Sequence, residues 1–235
     1  MITWLKSMHI TVINPNSNPV YTAHISTALE SVRQASGVSI DCITLREAPL
    51  AIMSDQDIEA VIEPICRTIQ ELDASVAGVV IACFADPGLY EARRIGSRPV
   101  IGSCEAAVVA AMTYGSRLGL ISTGDDVDAD RELILSYSRD IDFLAIESLG
   151  IPTAEIPNEP SALQKLIRCG NDLQVQNVDA VMLGCAGMAT YAEQLQAALD
   201  VPVIEATTAA VNVLLETIRN EELTEDAKDQ STATA

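Results

Sequence analysis

Two cysteines stand at matching places in the chain, each directly after an apolar run and before small residues. The runs cover residues 79–82, before Cys83, and residues 181–184, before Cys185. Short apolar runs that end in turn-forming residues predict buried parallel strands. Ligands of open α/β sheets bind beyond the carboxyl ends of such strands. We therefore expect both thiols to line a binding cleft.

Two thiols on opposite walls of a cleft could invert a stereocentre without a cofactor. One thiolate would take a proton from carbon, and the other thiol would deliver a proton to the opposite face. A free thiol has a pKa of about 8.5, which helix N-termini and backbone N–H groups lower, and such a group serves as acid or base. The N–H groups after each cysteine, with Asn14, Ser122 and Thr123, are predicted to stabilise an enolate-like oxygen.

The remaining cysteines and both histidines are predicted to be structural, since a buried cysteine is most often a small apolar residue. The C-x-x-C spacing of zinc and redox motifs does not occur, and neither histidine belongs to a ligand pattern. We therefore predict no metal, no cofactor, and reduced thiols in a cytoplasmic protein. The residues given structural roles are Cys42, Cys66, Cys104, Cys169, His9 and His24.

The composition favours a globular protein with a small-molecule ligand. The chain has 235 residues, of which 49% are hydrophobic, enough for one large domain or two small ones. Its formal net charge of −19 opposes binding to nucleic acid and to anionic membranes. The sequence has no apolar stretch typical of a transmembrane helix and no N-terminal secretory signal.

The segments around the two cysteines repeat. Residues 98–108 read RPVIGSCEAAV and residues 201–211 read VPVIEATTAAV, which match at 6 of 11 positions. These segments are 103 residues apart, and the two cysteines are 102 residues apart. A near-constant offset indicates an internal duplication. It predicts two similar Rossmann-like α/β domains with four-stranded parallel sheets, related by a pseudo-twofold axis, with the site between them.

The same symmetry gives a division of the chain, because the last helix is expected to cross back onto the first half. The first domain is predicted to comprise residues 1–97 and 208–235, and the second residues 98–207. Residues 221–235 are polar and are predicted to form a disordered tail. Asp86 and Pro87 are predicted to be the N-cap and the first residue of the helix after the first cysteine.

The sequence resembles the aspartate/glutamate/hydantoin racemase superfamily, and its hydantoin and allantoin racemase branch in particular. The similarity spans residues 9 to about 218, and the two cysteine segments together are specific. The matching segments are VINPNS at 12–17, ACFADPGL at 82–89, PVIG at 99–102 with Glu105 and Ala106, LGCAGM at 183–188, and PVI at 202–204.

The resemblance implies a cofactor-independent isomerase that racemises a cyclic ureide through Cys83 and Cys185. It implies an active site between two α/β domains, and the family commonly forms homo-oligomers. It further implies substrate contacts from the first loop, from the loop after the fifth strand, and from the segments around both cysteines. The residues concerned are Asn14, Phe84, Ala85, Glu105, Ser122, Thr123, Ala186 and Gly187.

Three departures from the family pattern bear on the substrate. Amino-acid racemases of the superfamily usually carry histidine where this chain has Gly187, which argues against free aspartate or glutamate. Ala85 stands where glycine is common, and Asp125 and Asp126 stand near a position that is usually basic in hydantoin racemases. A 5-substituted hydantoin, allantoin and another cyclic ureide stay open. So do a single-cysteine lyase, decarboxylase or isomerase of the same fold, and a non-catalytic small-molecule binding protein.

Overall fold

The computed structural model describes residues 8–124 and 127–232. Asp125 and Asp126, the acidic pair noted above, lie outside the described residues. The strands are β1 (His9–Asn14), β2 (Ser39–Thr44), β3 (Val76–Ile81), β4 (Val100–Gly102), β5 (Arg117–Ser122), β6 (Phe143–Ser148), β7 (Ala180–Leu183) and β8 (Val203–Glu205). The helices are α1 (Pro19–Ala28), α2 (Glu30–Ser36), α3 (Asp55–Glu71), α4 (Leu89–Arg94), α5 (Ser103–Met112), α6 (Val127–Tyr137), α7 (Ala162–Val175), α8 (Ala192–Ala198) and α9 (Ala206–Thr232). Two 3₁₀ helices cover Thr153–Asn158 and Ala186–Tyr191.

The strands form two four-stranded parallel sheets with equivalent strand orders. The first sheet has the order β2-β1-β3-β4, and the second has the order β6-β5-β7-β8. Strands β3 and β7 therefore occupy the same central place in their sheets. Both are apolar runs with almost every side chain buried, as expected for a parallel strand covered on both faces. The predicted pair of four-stranded parallel sheets is confirmed.

Each sheet receives a helix from the other half of the chain. Helix α9 follows β8 of the second sheet but packs on β3 and β4 of the first sheet. Its Leu214 lies so close to β3 that a Cβ on Gly78 would stand 2.6 Å from the leucine Cδ1. Helix α5 follows β4 and contacts β7, β8 and α9. The largest apolar cluster accordingly joins residues of both sheets, including Val80 and Leu120.

The predicted division of the chain needs two corrections. It assigned residues 98–102 to the second domain, but β4 pairs with β3, with Val80 opposite Ile101. The hydrogen bonds of β4 thus belong to the first sheet, and we propose a boundary after Gly102. The predicted disordered tail is wrong for residues 221–232, which continue α9. That segment contains helix-forming Glu, Leu, Ala and Lys and no glycine or proline to end the helix.

Membrane-spanning helices and metal-binding clusters are both absent from the described part of the chain. No helix there is both long and apolar enough to cross a membrane. No group of three or more His, Cys, Asp and Glu side chains in that part is arranged to hold a metal ion.

Candidate active site

Cys83 and Cys185 occupy equivalent positions just beyond the central strands of the two sheets. The ladder is extended by one hydrogen bond before each cysteine, from Ala82 N to Ile13 O (2.8 Å) and from Gly184 N to Ile121 O (2.9 Å). Both cysteines are partly buried. They lie close enough together that a negative charge on Cys185 raises the pKa of Cys83. The structure thus brings the two predicted thiols together, and their catalytic role stays a prediction.

Burial dominates the titration of Cys83. It raises the pKa of the thiol to about 12, although the backbone N–H of Ala85 donates to the sulfur and lowers it. The negative charges of Cys185, Asp86 and Asp130 raise it further. A thiolate in this environment loses more hydration than one N–H group restores.

Cys185 has more donors around its sulfur. It is the N-cap of the 3₁₀ helix Ala186–Tyr191, and the N–H of Gly187 donates to its Sγ at 3.3 Å. Burial still raises its pKa, to about 11, while the Gly187 N–H and a hydrogen bond from Tyr21 lower it. The expected donation from backbone N–H groups is present at both cysteines. The pKa of each thiol is nevertheless raised, because desolvation outweighs these hydrogen bonds.

Asn14 holds the first loop together from the end of β1. Its Nδ2 lies 3.1 Å from Asn16 Oδ1, 3.1 Å from the carbonyl of Asn18 and 3.0 Å from Thr22 Oγ1. Its Oδ1 accepts from the N–H of Asn16 at 3.3 Å. The side chain is 1% exposed, and its hydrogen bonds hold the loop in its conformation. A contact between Asn14 and substrate stays a prediction.

Ser122 and Thr123 lie at the end of β5, next to the Cys185 strand. Ser122 donates its hydroxyl proton to the Asp130 carboxylate and accepts from Gly124 N at 3.1 Å. Thr123 Oγ1 accepts from the Thr153 hydroxyl at 2.9 Å. The hydroxyl proton of Ser122 is therefore already donated to Asp130. Thr123 only accepts in its pair with Thr153, so its own hydroxyl proton is available to donate to a ligand.

The other predicted contact residues differ in how they are placed. Phe84 is buried in the shared apolar cluster, so its side chain serves packing. Ala186 is partly buried against the same cluster, and Ala85 presents its N–H to Cys83. Glu105 pairs with Arg93, with Oε1 3.0 Å from Nη1. This ion pair gives Glu105 a structural role at the start of α5, and its contact with substrate stays a prediction.

Asp86 caps a different helix from the one predicted. Helix α4 begins only at Leu89, with Gly88 as its N-cap. The Asp86 carboxylate instead accepts from Cys104 N (3.0 Å) and Glu105 N (2.9 Å) at the start of α5. It reaches them because Gly102 has no side chain: a Cβ there would stand 2.4 Å from the Asp86 Cγ.

The same carboxylate links the Cys83 turn to the second half of the chain. Tyr137 of α6 donates to Asp86 Oδ2 at 2.8 Å, and the Asp86 N–H donates to the Cys83 carbonyl at 3.0 Å. Burial raises the pKa of Asp86 to about 7, against the opposing effect of its three donors. Asp86 also has a positive φ of 46°, an unfavourable conformation that its hydrogen bonds compensate.

Sequence reasoning missed two residues near the thiols. Tyr21, in α1, donates its hydroxyl proton to the Thr153 carbonyl and lies close enough to Cys185 to lower the pKa of that thiol. Its ring lies over Gly187, where a Cβ would be 2.9 Å from the tyrosine Cε1. Asp130, in α6, carries a charge that raises the pKa of both site cysteines. Neither belongs to a motif, and no local pattern distinguishes a helical residue that reaches across the fold.

Comparisons with known proteins agree with this architecture. The Asp/Glu/Hydantoin racemase family model matches residues 10–214. The chain is 32% identical to a hydantoin racemase of Rhizobium meliloti over 212 residues, covering 88% of this chain and 87% of the relative. It is 33% identical to a hydantoin racemase of Pseudomonas sp. (strain NS671) over 211 residues, covering 87% and 83%. Among solved structures, allantoin racemase from Klebsiella pneumoniae superposes with a TM-score of 0.84 at 31% identity, covering 92% of this chain and 89% of that one.

Proposed function

We propose that this chain, which belongs to the Asp/Glu/hydantoin racemase family, is a cofactor-independent racemase of 5-substituted hydantoins or of allantoin. The observation that carries the proposal is the equivalent placement of Cys83 and Cys185 beyond β3 and β7. A racemase must remove a proton from one face of a carbon and return one to the other face. Two thiols at equivalent ends of two sheets meet that need.

The proposed reaction needs one thiolate and one thiol. The thiolate takes the proton from the ring carbon, and the electron pair left behind spreads onto the adjacent ring carbonyl. The opposite thiol then gives its proton to the other face of that carbon. The first cysteine ends as a thiol and the second as a thiolate, so the reverse reaction starts from the state that the forward reaction leaves. The Thr123 hydroxyl, which accepts from Thr153 and keeps its own proton, is suited to stabilise the carbonyl oxygen.

The charges around the thiols favour a neutral substrate. Asp86 and Asp130 raise the pKa of Cys83, and Asp130 and Glu205 raise that of Cys185. Negative charges close enough to act on both sulfurs repel the carboxylates of a free dicarboxylic amino acid. A cyclic ureide carries no carboxylate in its ring, and its ring N–H groups can donate to acidic side chains. These contacts support a cyclic ureide over aspartate or glutamate.

The test is racemisation of each pure enantiomer in deuterium oxide, with the rate in the absence of protein subtracted. The unmodified protein is expected to place deuterium on the ring carbon as the optical rotation decays. Cys83→Ser and Cys185→Ser should each reduce the rate by about 100-fold or more, since each removes an acid/base group. Cys66→Ser is the matched control, because Cys66 lies in α3 and belongs to neither predicted motif.

The outcomes separate the open alternatives. Racemisation of every cyclic ureide tested that persists in both serine variants contradicts the two-thiol mechanism. Turnover without inversion that needs only one cysteine indicates a lyase, decarboxylase or single-cysteine isomerase. A ligand that raises Tm without being turned over indicates a binding protein.

We also propose that the protein acts in the cytoplasm as a homo-oligomer. All six cysteines are free thiols, which suits a reducing compartment. Val109 of α5 and Tyr114, two residues beyond the end of that helix, are more than half exposed. They line a groove of about 760 Å³ beside α9, a surface suited to contact with another copy. Light scattering of the purified protein, and of a variant with Val109→Glu, tests the oligomer; a monomer at micromolar concentration contradicts it.

A further inference from the structure

Tyr21 joins three parts of the fold at the second cysteine. It is 1% exposed and projects from α1, which follows the first loop. Its hydroxyl donates to the carbonyl of Thr153, in the 3₁₀ helix Thr153–Asn158. The hydroxyl oxygen would stand 3.1 Å from a Cβ on Gly187, and it is close enough to Cys185 to lower the pKa of that thiol. Its ring fills the space above Gly187. One side chain from the first half of the chain therefore packs against the Cys185 turn at Gly187.

A phenol has one proton to donate and an oxygen that can also accept. While that proton is on the Thr153 carbonyl, the oxygen can accept only from the S–H of Cys185. When Cys185 is a thiolate, the sulfur is the stronger acceptor, and the hydroxyl proton is expected to turn to it. Burial and the charge of Cys185 raise the pKa of Tyr21 far above its ordinary value. The tyrosine thus keeps its proton throughout and acts as a donor.

We propose that Tyr21 is a positioning residue for this reaction: its hydroxyl holds Cys185 in place and donates to the sulfur whenever Cys185 is a thiolate. Cys83 receives its backbone donor from Ala85, and Cys185 receives one from Gly187 at 3.3 Å. The tyrosine hydroxyl is an additional donor to Cys185, so the Cys185 thiolate is stabilised by one donor more than the Cys83 thiolate. The thiolate is consequently carried more often by Cys185 than by Cys83. The effect on turnover rests on the proposed racemase function, whereas the effect on the thiol does not.

The variant that tests this assignment is Tyr21→Phe, which removes the hydroxyl and keeps the ring over Gly187. Tyr90→Phe is the matched control, because Tyr90 is 63% exposed on α4. The other charged groups that act on Cys185, namely Asp130 and Glu205, are unchanged in both variants. The readout is the rate of iodoacetamide alkylation at each cysteine across a pH series, resolved by mass spectrometry of the peptides.

Tyr21→Phe should slow alkylation of Cys185 by about 10- to 100-fold at a given pH, the usual effect of losing a hydrogen bond to a charged group. The pH at which Cys185 becomes reactive towards iodoacetamide should rise, whereas the pH dependence of Cys83 alkylation should change much less. If the pH dependence of Cys185 alkylation is the same in Tyr21→Phe and Tyr90→Phe, the assignment is overturned. If Tyr21→Phe fails to fold, Gly187→Ala replaces it, since its Cβ would displace the tyrosine ring and should slow Cys185 in the same way; an unchanged rate there also overturns the assignment.

Racemisation gives the second readout. Two enantiomers in water have an equilibrium constant of one, so kcat/KM must fall equally in both directions in Tyr21→Phe. The separate kcat and KM values should diverge between the enantiomers, because the variant disfavours one of the two thiolate forms. If Tyr21 had only a structural role, its replacement would lower kcat equally for the two enantiomers. That result would contradict the proposal. If no cyclic ureide is racemised yet Cys185 alkylation slows, the proposed function fails and the positioning role of Tyr21 stands.

Discussion

Asp86→Asn is the change that most directly tests how the Cys83 turn is held. The carboxylate is 7% exposed and accepts from Cys104 N, Glu105 N and Tyr137 Oη at 2.8–3.0 Å. Asparagine has nearly the same shape and is neutral at every pH. The substitution therefore removes the titration of this site while leaving most of the packing in place.

The magnitude follows from the pKa of Asp86, which is raised from 3.8 to about 7 in the folded protein. A raised pKa means that the folded state binds the proton more tightly than the unfolded state. This stabilisation is complete below about pH 4 and is lost as the pH rises through about 7, with a total loss of about 4 kcal/mol. Between about pH 5.5 and about pH 8.5, the loss is about 2 kcal/mol. The wild-type protein should therefore lose this much stability relative to Asp86→Asn over that range.

Urea unfolding at several pH values measures the effect as a difference between the two proteins, so that titrations common to both cancel. Asp55→Asn, which changes an exposed carboxylate in the first turn of α3, controls for the loss of one charge. Tyr137→Phe removes a donor that lowers the pKa of Asp86 and should move the pH window upward. A difference between wild type and Asp86→Asn that stays flat from about pH 5.5 to about pH 8.5 would refute the reasoning.

Three further predictions concern the thiols, the crossing helix and the Asp86 contact. The rate of racemisation, measured by polarimetry, should rise by about tenfold per pH unit from about pH 7 to about pH 10. The reason is that the pKa of Cys185 is about 11, so only about one thiol in ten thousand is ionised at about pH 7. A rate that levels off below about pH 9 contradicts this. Leu214→Ala should reduce the free energy of unfolding by about 2–5 kcal/mol, since this fully buried side chain packs α9 on Gly78; a loss below about 1 kcal/mol in urea unfolding would show that α9 does not pack there. Gly102→Ala should cost about 1–3 kcal/mol and lower activity, because its Cβ would press on Asp86; unchanged urea midpoint and rate would disprove the contact.

The position of each cysteine could be predicted because the signals are local. An apolar run followed by small residues marks a buried strand end wherever it occurs, and the strands before Cys83 and Cys185 are both central in their sheets. The duplication could be seen for a similar reason, since equal offsets survive in the sequence. Together they predicted two parallel four-stranded sheets and the crossing of the last helix onto the first half.

The partners of polar side chains could not be predicted in this way. Asp86 has a helix start close by in sequence, but its carboxylate accepts from the first N–H groups of α5. The choice depends on the missing side chain of Gly102, which comes 16 residues later. Strand β4 likewise looked like the start of the second repeat, and only its hydrogen bonds to β3 assign it to the first sheet.

The sequence by itself therefore determined the fold and the strand ends at which Cys83 and Cys185 stand, because strand burial and repeat spacing are properties of short segments. Only the tertiary structure decided how those thiols titrate and what holds them. The pKa values of Cys83 and Cys185 are raised because burial outweighs the N–H groups that the strand ends supply. Tyr21 reaches Cys185 from a helix 164 positions earlier in the chain. Desolvation and contacts of this kind arise only when distant segments pack together, so no local pattern encodes them.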